Sequence, residues 1–234
     1  DQMKIKKHIP NFITSFNLLT GSVGVYFAFS GNYTVAFFAV LIAGLFDFLD
    51  GLTARMLKAY SPMGKELDSL ADVISFGLLP ATVVFSMLAS STYPDWTKYI
   101  GLLIVVFSAL RLAKFNIDEN QKDSFIGLST PANAIFWTGM AYSCAPWLID
   151  TPWLIIILTI FFSGLLVFKF PMFALKFKNL KWADNKIQYI FLSGCIVLLI
   201  LMGWNGFAPI IGWYILASAA IYPFMKVSAD SKPQ

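Results

Sequence analysis

The sequence predicts an all-α, polytopic integral membrane protein with about eight transmembrane helices and both termini in the cytoplasm. Three observations carry this. Of 234 residues, 58% are hydrophobic and only 13% charged, with a mean hydropathy of +0.70, whereas soluble domains carry about 25% charged residues. Apolar stretches of about 20 residues, the length a helix needs to cross the hydrocarbon core, recur at 12–30, 33–57, 67–89, 97–115, 131–149, 152–170, 187–204 and 207–225. Changing sides at each stretch, from a cytoplasmic N-terminus, places all but Lys98 of the 17 Lys and Arg residues inside, as the positive-inside rule requires.

The first span follows Lys4, Lys6 and Lys7. Asp1 and Gln2 read as a tag remnant ahead of Met3, and no small-residue cleavage site marks a signal peptide. Turn residues separate the spans: Gly31-Asn32, Ser61-Pro62, Tyr93-Pro94-Asp95, Thr151-Pro152 and Asn205-Gly206, types that pre-set turn geometry. The later inside segments hold Arg55, Lys58 and Lys65, then Arg111, Lys114 and Lys122. Lys169, Lys176, Lys178, Lys181 and Lys186 follow, and Lys226 and Lys232 end the series. A miscounted span would invert every later loop and destroy the asymmetry. Between Phe170 and Lys186, lysines alternate with Phe, Leu and Trp, a pattern expected to lie along the anionic cytoplasmic surface.

The net charge of +4 and the pI near 9.0 follow from this loop bias and do not indicate a nucleic-acid partner. Cys144 and Cys195 sit in apolar runs and are expected to be reduced, buried and structural, without zinc-site spacing. His8 is expected at the membrane interface. With no internal repeat and no low-complexity segment, residues 1–234 read as one membrane unit.

Charge inside the apolar pattern is concentrated on two neighbouring spans. At 100° per residue, Asp47, Asp50, Gly51 and Ala54 fall on one face of the second span. Gly64, Asp68 and Asp72 share a face of the third by four-residue spacing. A short cytoplasmic turn joins the two helices, so the faces can meet and bring four carboxylates into one cavity. Each would cost about 2.5–3.5 kcal/mol near the centre of a membrane helix. Bound Mg²⁺ or Mn²⁺ relieves both that cost and the mutual repulsion, because these ions take carboxylate oxygens together with phosphate. Gly51, Ala54 and Gly64 keep the same faces free of bulk. The structural alternative is helix packing by the small residues, with the aspartates paired to Arg55, Lys58 and Lys65.

The run Asp47-x2-Asp50-Gly51-x2-Ala54-Arg55-x8-Gly64-x3-Asp68-x3-Asp72 resembles the signature of the CDP-alcohol phosphotransferases. That resemblance implies a six-helix core, here residues 3–186, with two added spans over 187–234, and a homodimer. It implies transfer of a phosphatidyl-type group from a CDP-linked donor to an alcohol, with release of CMP. By the family pattern Asp47, Asp50, Asp68 and Asp72 are metal ligands. Asp72, with Asp68 beside it, carries the catalysis, and Asp72 acts as base toward the acceptor hydroxyl. Asp47, Gly51, Ala54, Arg55 and Gly64 line the CMP moiety. Pro10-Asn11-x2-Thr14-x2-Asn17 resembles the opening of the family's first span, implying that Asn11, Thr14 and Asn17 help bind the nucleotide. The structural alternative there is helix capping by Asn11 and interhelical hydrogen bonds.

Two later segments bear on the acceptor. Arg111-Leu112-Ala113-Lys114-Phe115-Asn116 and Gly127-Leu128-Ser129-Thr130-Pro131-Ala132-Asn133 resemble segments of the membrane-embedded phosphatidylserine synthases. Lys114 stands where arginine is usual, and Ser129 where proline is usual. The resemblance implies CDP-diacylglycerol, or an ether-lipid equivalent, as donor and L-serine as acceptor. Arg111 and Lys114 can hold the serine carboxylate or a donor phosphate. Asn116, Ser129, Thr130 and Asn133 can bind the amino and carboxyl groups. The bland account makes Arg111 and Lys114 positive-inside anchors and Ser129-Thr130-Pro131 a helix start. Glycerol 3-phosphate or an inositol phosphate as acceptor would need a denser basic pocket. A cation-coupled secondary transporter would more often show broken helices and a repeat relating its halves. The expected location is the plasma membrane, with the site facing the cytoplasm.

Overall fold

The structure, a computed structural model, describes residues 2–117, 125–168, 170–173, 179 and 181–230. Lys122, Lys169, Lys176, Lys178 and Lys232 lie outside the described residues, as do 174–178 and 180 of the stretch expected along the membrane surface. Within that stretch Met172 and Phe173 are buried in the bundle instead.

Nine α-helices are described. They are α1 (Gln2–Phe29), α2 (Tyr33–Leu57), α3 (Pro62–Asp72), α4 (Leu79–Ala89), α5 (Leu103–Ile117), α6 (Thr130–Asp150), α7 (Pro152–Val167), α8 (Lys186–Met202) and α9 (Phe207–Asp230). Each apolar stretch read from the sequence contains a helix, although α7 ends at Val167, short of the expected 170. Five helical segments are long and apolar enough to cross a membrane: His8–Phe29, Tyr33–Leu57, Pro62–Ala89, Asp95–Ile117 and Lys186–Ile221. The chain is an integral membrane protein on that basis. α7 is apolar but only 16 residues long, and α6 is kinked at Cys144, two residues before Pro146. Lys186–Ile221 is two helices, because Gly203 adopts φ 55° and folds α9 back on α8. The only β pairing among the described residues joins Phe125–Ile126 to Pro171–Met172.

The third expected span begins five residues earlier than its hydropathy suggests, at Pro62. Ser61 caps it by accepting from Gly64 N at 3.0 Å, and Pro62 fills the first position, where a missing N–H costs nothing. α3 runs into α4 through a π-helical turn, Val73–Leu78. Such turns cluster at functional sites, and this one starts directly after Asp72. The α3–α4 column is the centre of the bundle, with 72% of its apolar window buried and α1, α2, α5 and α6 around it. Lipid tails are as apolar as leucine, so close packing rather than water exclusion holds such helices together. α1 approaches the column so closely that a Cβ on Gly21 would run into Ser75. α5 runs antiparallel to it: Asn116 bonds Ser69, and Ser108 packs on Gly77.

Candidate active site

The α2–α3 turn brings the two acidic faces together. α2 ends at Lys58 in the left-handed conformation, and Ala59 N returns to Ala54 O at 2.9 Å. Three residues later the Ser61 cap starts α3. Across this turn, carboxylate oxygens of Asp47, Asp50 and Asp68 all lie within 4.8 Å of one another. Asp50 is buried, and the Thr14 hydroxyl donates to its Oδ2 at 2.5 Å. Asp68 Oδ1 is buried with no hydrogen-bond partner.

Among the described residues no Lys or Arg pairs with this cluster. Among the described residues the one salt bridge joins Lys98 to Asp95. Arg55 Nε donates to Gly51 O at 3.0 Å, and Lys65 Nζ to Asn116 O at 3.0 Å. Pairing of the aspartates with Arg55, Lys58 and Lys65 is therefore not what the fold contains. Three carboxylates with an orphaned, buried oxygen fit a hard divalent cation, which takes oxygen ligands and fills its remaining positions with water and phosphate.

Asp72 does not join the three. Its four-residue spacing from Asp68 keeps it on the same face but about 6 Å deeper along the helix. There it is buried, with Asn17 Nδ2 at 3.4 Å from Oδ1. The α1 backbone at Asn17 is tied to the π turn, since Ser75 Oγ donates to the main-chain carbonyl of Asn17 at 3.0 Å, while Asn17 Oδ1 is buried without a partner. Of the four carboxylates expected to converge, three have oxygens mutually within 4.8 Å, and Asp72 lies one turn further along α3, within electrostatic reach of Asp47 and Asp68.

Asn11, Thr14 and Asn17 share one face of α1, and Thr14 and Asn17 make interhelical hydrogen bonds from it. Asn11, Thr14 and Asn17 look toward Gly64, Asp50 and Asp72 respectively. Because α1 starts at Gln2, Asn11 lies inside the helix and does not cap it. Asp50 and Asp68 open into a cleft of about 230 Å³ lined also by Asn11, Thr14, Gly51, Ala54, Tyr60 and Gly64, whereas Asp47 and Arg55 do not line it. A Cβ on Gly64 would come 2.8 Å from Asn11 Oδ1, so a side chain there would displace the Asn11 amide. Gly51 is different: a Cβ there would meet only Arg55 Nη2, at 3.9 Å. Its missing side chain leaves room in the cleft. Gly51→Ala is expected to keep or raise thermal stability, since alanine favours a helix interior by about 1 kcal/mol. Titration of the purified variant with CMP is expected to show affinity lower by roughly tenfold, about 1.4 kcal/mol.

The acceptor residues divide. Arg111 Nε donates to Leu128 O at 2.6 Å, tying the end of α5 to the loop before α6. Gly127 makes that loop possible: it sits at φ 75°, and its N–H reaches Phe170 O at 2.8 Å. Ser129 caps α6, accepting from Ala132 N at 3.4 Å. Thr130 is buried, and Asn133 is fully buried with neither side-chain polar atom paired. Arg111, Ser129 and Thr130 thus share one neighbourhood. Asn116 faces α3, donating to Ser69 Oγ at 2.8 Å, and Lys114 is exposed. Sequence reasoning did not single out Ser75 or Ser69, which hold Asn17 and Asn116. No local signal marks either as more than a helix-interior serine.

The family described as CDP-alcohol phosphatidyltransferase has a sequence model that matches residues 7–163. That range contains every candidate residue from Asn11 to Asn133 and excludes α8 and α9. Among curated relatives, a CDP-diacylglycerol–serine O-phosphatidyltransferase of Helicobacter pylori (strain ATCC 700392 / 26695) is 36% identical over 128 residues, 54% of this chain and 54% of that protein. The Bacillus subtilis (strain 168) protein of the same name is 36% identical over 124 residues, 53% of this chain and 70% of that protein. An archaetidylserine synthase of Methanothermobacter thermautotrophicus is 34% identical over 129 residues, 54% of each chain. The chain thus spans about half the length of the Helicobacter and Methanothermobacter relatives.

Proposed function

The chain belongs to the CDP-alcohol phosphatidyltransferase family, and we propose that it transfers the phosphatidyl group of CDP-diacylglycerol, or of an ether-linked equivalent, to L-serine, releasing CMP. One observation carries the reading. Three carboxylates converge with no Lys or Arg partner among the described residues, beside a cleft whose wall is kept open at Gly51. The choice of serine is supported by the names of the relatives, which include both a phosphatidylserine and an archaetidylserine enzyme.

Asp47, Asp50 and Asp68 would hold Mg²⁺ or Mn²⁺, which when bound neutralises the pyrophosphate and polarises the phosphorus under attack. The chain's own residues position the rest, and positioning with charge stabilisation is most of what phosphoryl transfer needs. Asn11, Thr14, Gly51, Ala54, Arg55 and Gly64 seat the CMP moiety. Thr14 fixes the rotamer of Asp50, and Asn17 that of Asp72. Asp72, apart from the three, takes the proton of the serine hydroxyl. That oxygen bonds to the phosphatidyl phosphorus, and the bond from this phosphorus to the CMP oxygen breaks, so CMP leaves. Arg111, with Ser129 and Thr130 beside it, holds an anionic group of the reactants. The reading includes eight spans, both termini and the site on the cytoplasmic side of the plasma membrane, and a homodimer. Loop charge supports the orientation.

The test is CMP release by the purified chain given CDP-diacylglycerol, Mn²⁺ and one acceptor at a time. Release with L-serine, accompanied by an equal amount of phosphatidylserine, is the expected result. Release with glycerol 3-phosphate or an inositol phosphate in place of serine would retain the carboxylate site and overturn the acceptor.

A further inference from the structure

A second cavity, of about 390 Å³, lies beside the Arg111 contact and has no part in the chemistry above. Its size is typical of ligand sites. Ala132 forms one wall, Phe173 another, and Phe191, Cys195, Ile211 and Tyr214 of the α8–α9 hairpin close it. The rings of Phe173, Phe191 and Tyr214 form a triangle with centroids 5.0 to 5.6 Å apart. Each hydroxyl on the wall has a partner within the wall: Tyr214 donates to Phe173 O at 3.0 Å, and Ser129 accepts from Ala132 N. A water needs two to four polar partners to stay in a cavity, and the side chains of this lining offer only the unused capacity of these two hydroxyls and the Cys195 thiol. Cys195 and Tyr214 remain half-buried, so the cavity opens toward the outside of the bundle, where the solvent is hydrocarbon.

At its edge stands a cation. Leu128, whose carbonyl receives Arg111 Nε, lies between Gly127 and Ser129, both of which line the cavity. No carboxylate among the described residues pairs with Arg111. The antiparallel register of α5, with Asn116 opposite Ser69 and Ser108 opposite Gly77, puts Arg111 at the depth of Ile74, just past Asp72. A half-buried guanidinium at the depth of the innermost aspartate, next to an apolar chamber, has the chemistry of a lipid phosphate with its chain attached.

We propose that this is the seat of the donor lipid: Arg111 pairs with a phosphate oxygen and one hydrocarbon chain occupies the chamber walled by α8 and α9. This gives the C-terminal hairpin, which the family match does not reach, a part in substrate binding. The identity of the lipid rests on the function proposed above. A chain gains little free energy on moving from bilayer to an equally apolar chamber. The chamber therefore orients the donor, and Arg111 supplies the selectivity for a phosphate with no quaternary ammonium beside it.

The test uses the full chain in nanodiscs with CDP-diacylglycerol that carries a diazirine midway along one chain, without serine. Illumination and peptide mass spectrometry are expected to place adducts on Phe191, Cys195 or Ile211. Cys195→Trp and Ala132→Phe, which fill the chamber from opposite walls, are each expected to lower that yield about tenfold, as is Arg111→Ala. Phosphatidylcholine with the same diazirine is expected to label these residues far less. Adducts confined to the outward-facing Ile196 and Ile200, equal labelling by phosphatidylcholine, or yields unchanged in the variants would overturn the site. Because no acceptor is present, the outcome is independent of whether serine is the substrate.

Discussion

Asp68→Asn is expected to abolish CMP release, with kcat lower by about 10² to 10³ or more, the scale on which loss of one charge-stabilising group acts. Asp68 is the member of the cluster contributed by α3, and its carboxylate is what closes the site across the α2–α3 turn. Its Oδ1 is buried without a partner, so the free enzyme holds it at a cost that a bound cation would remove. An amide in its place lacks the charge and puts a donor where the cluster needs an acceptor. Fold and expression are expected to survive, because the side-chain partner of Asp68 is Asp47 of the same cluster, not a group that holds the bundle together. Initial rates over a range of Mn²⁺ concentration check this. Wild-type rates from the variant at any Mn²⁺ concentration would remove Asp68 from the site.

Asp72→Asn is expected to separate binding from chemistry. A positioned base contributes about 10² to 10⁴ in rate, and kcat is expected to fall by that order. Asp72 lies a turn deeper than the three-carboxylate cluster and contacts Asn17, not the nucleotide cleft. The KM for the CDP donor is therefore expected to change by less than about threefold, since loss of a group used only in the transition state lowers kcat without weakening ground-state binding. Steady-state kinetics with donor varied at saturating serine give the two constants. A large rise in donor KM with kcat retained would make Asp72 a binding group.

Much of this site could be read before the fold was known, for a physical reason. The aspartates and small residues are spaced by three and four within single helices, and helical periodicity alone turns such spacing into a face. α2 runs over Tyr33–Leu57 as its apolar stretch and the Gly31-Asn32 turn indicate, and Ser61-Pro62 announces the start of α3. Asn11, Thr14 and Asn17 share their face for the same reason. What periodicity cannot supply is depth and partner. That Asp72 falls outside the group with oxygens mutually within 4.8 Å follows from how α3 is set against α2 and α1. The bond from Arg111 to Leu128 joins residues 17 apart through a loop whose path depends on Gly127 and α7. The π turn after Asp72 leaves no periodic mark, because a single extra residue in a uniformly apolar helix changes no pattern. Hydropathy likewise reads Met172 and Phe173 as part of a surface stretch, whereas pairing of Pro171–Met172 with Phe125–Ile126 draws them into the bundle.

The most direct test of the carboxylate site is Mn²⁺ binding followed by electron paramagnetic resonance, on purified wild type and Asp68→Asn, without lipid donor or acceptor. Bound Mn²⁺ in the wild type that CDP tightens, and that is lost in Asp68→Asn, is the predicted result. Equal Mn²⁺ binding by the two proteins would contradict it and move the metal, and with it the reacting phosphorus, away from Asp47, Asp50 and Asp68.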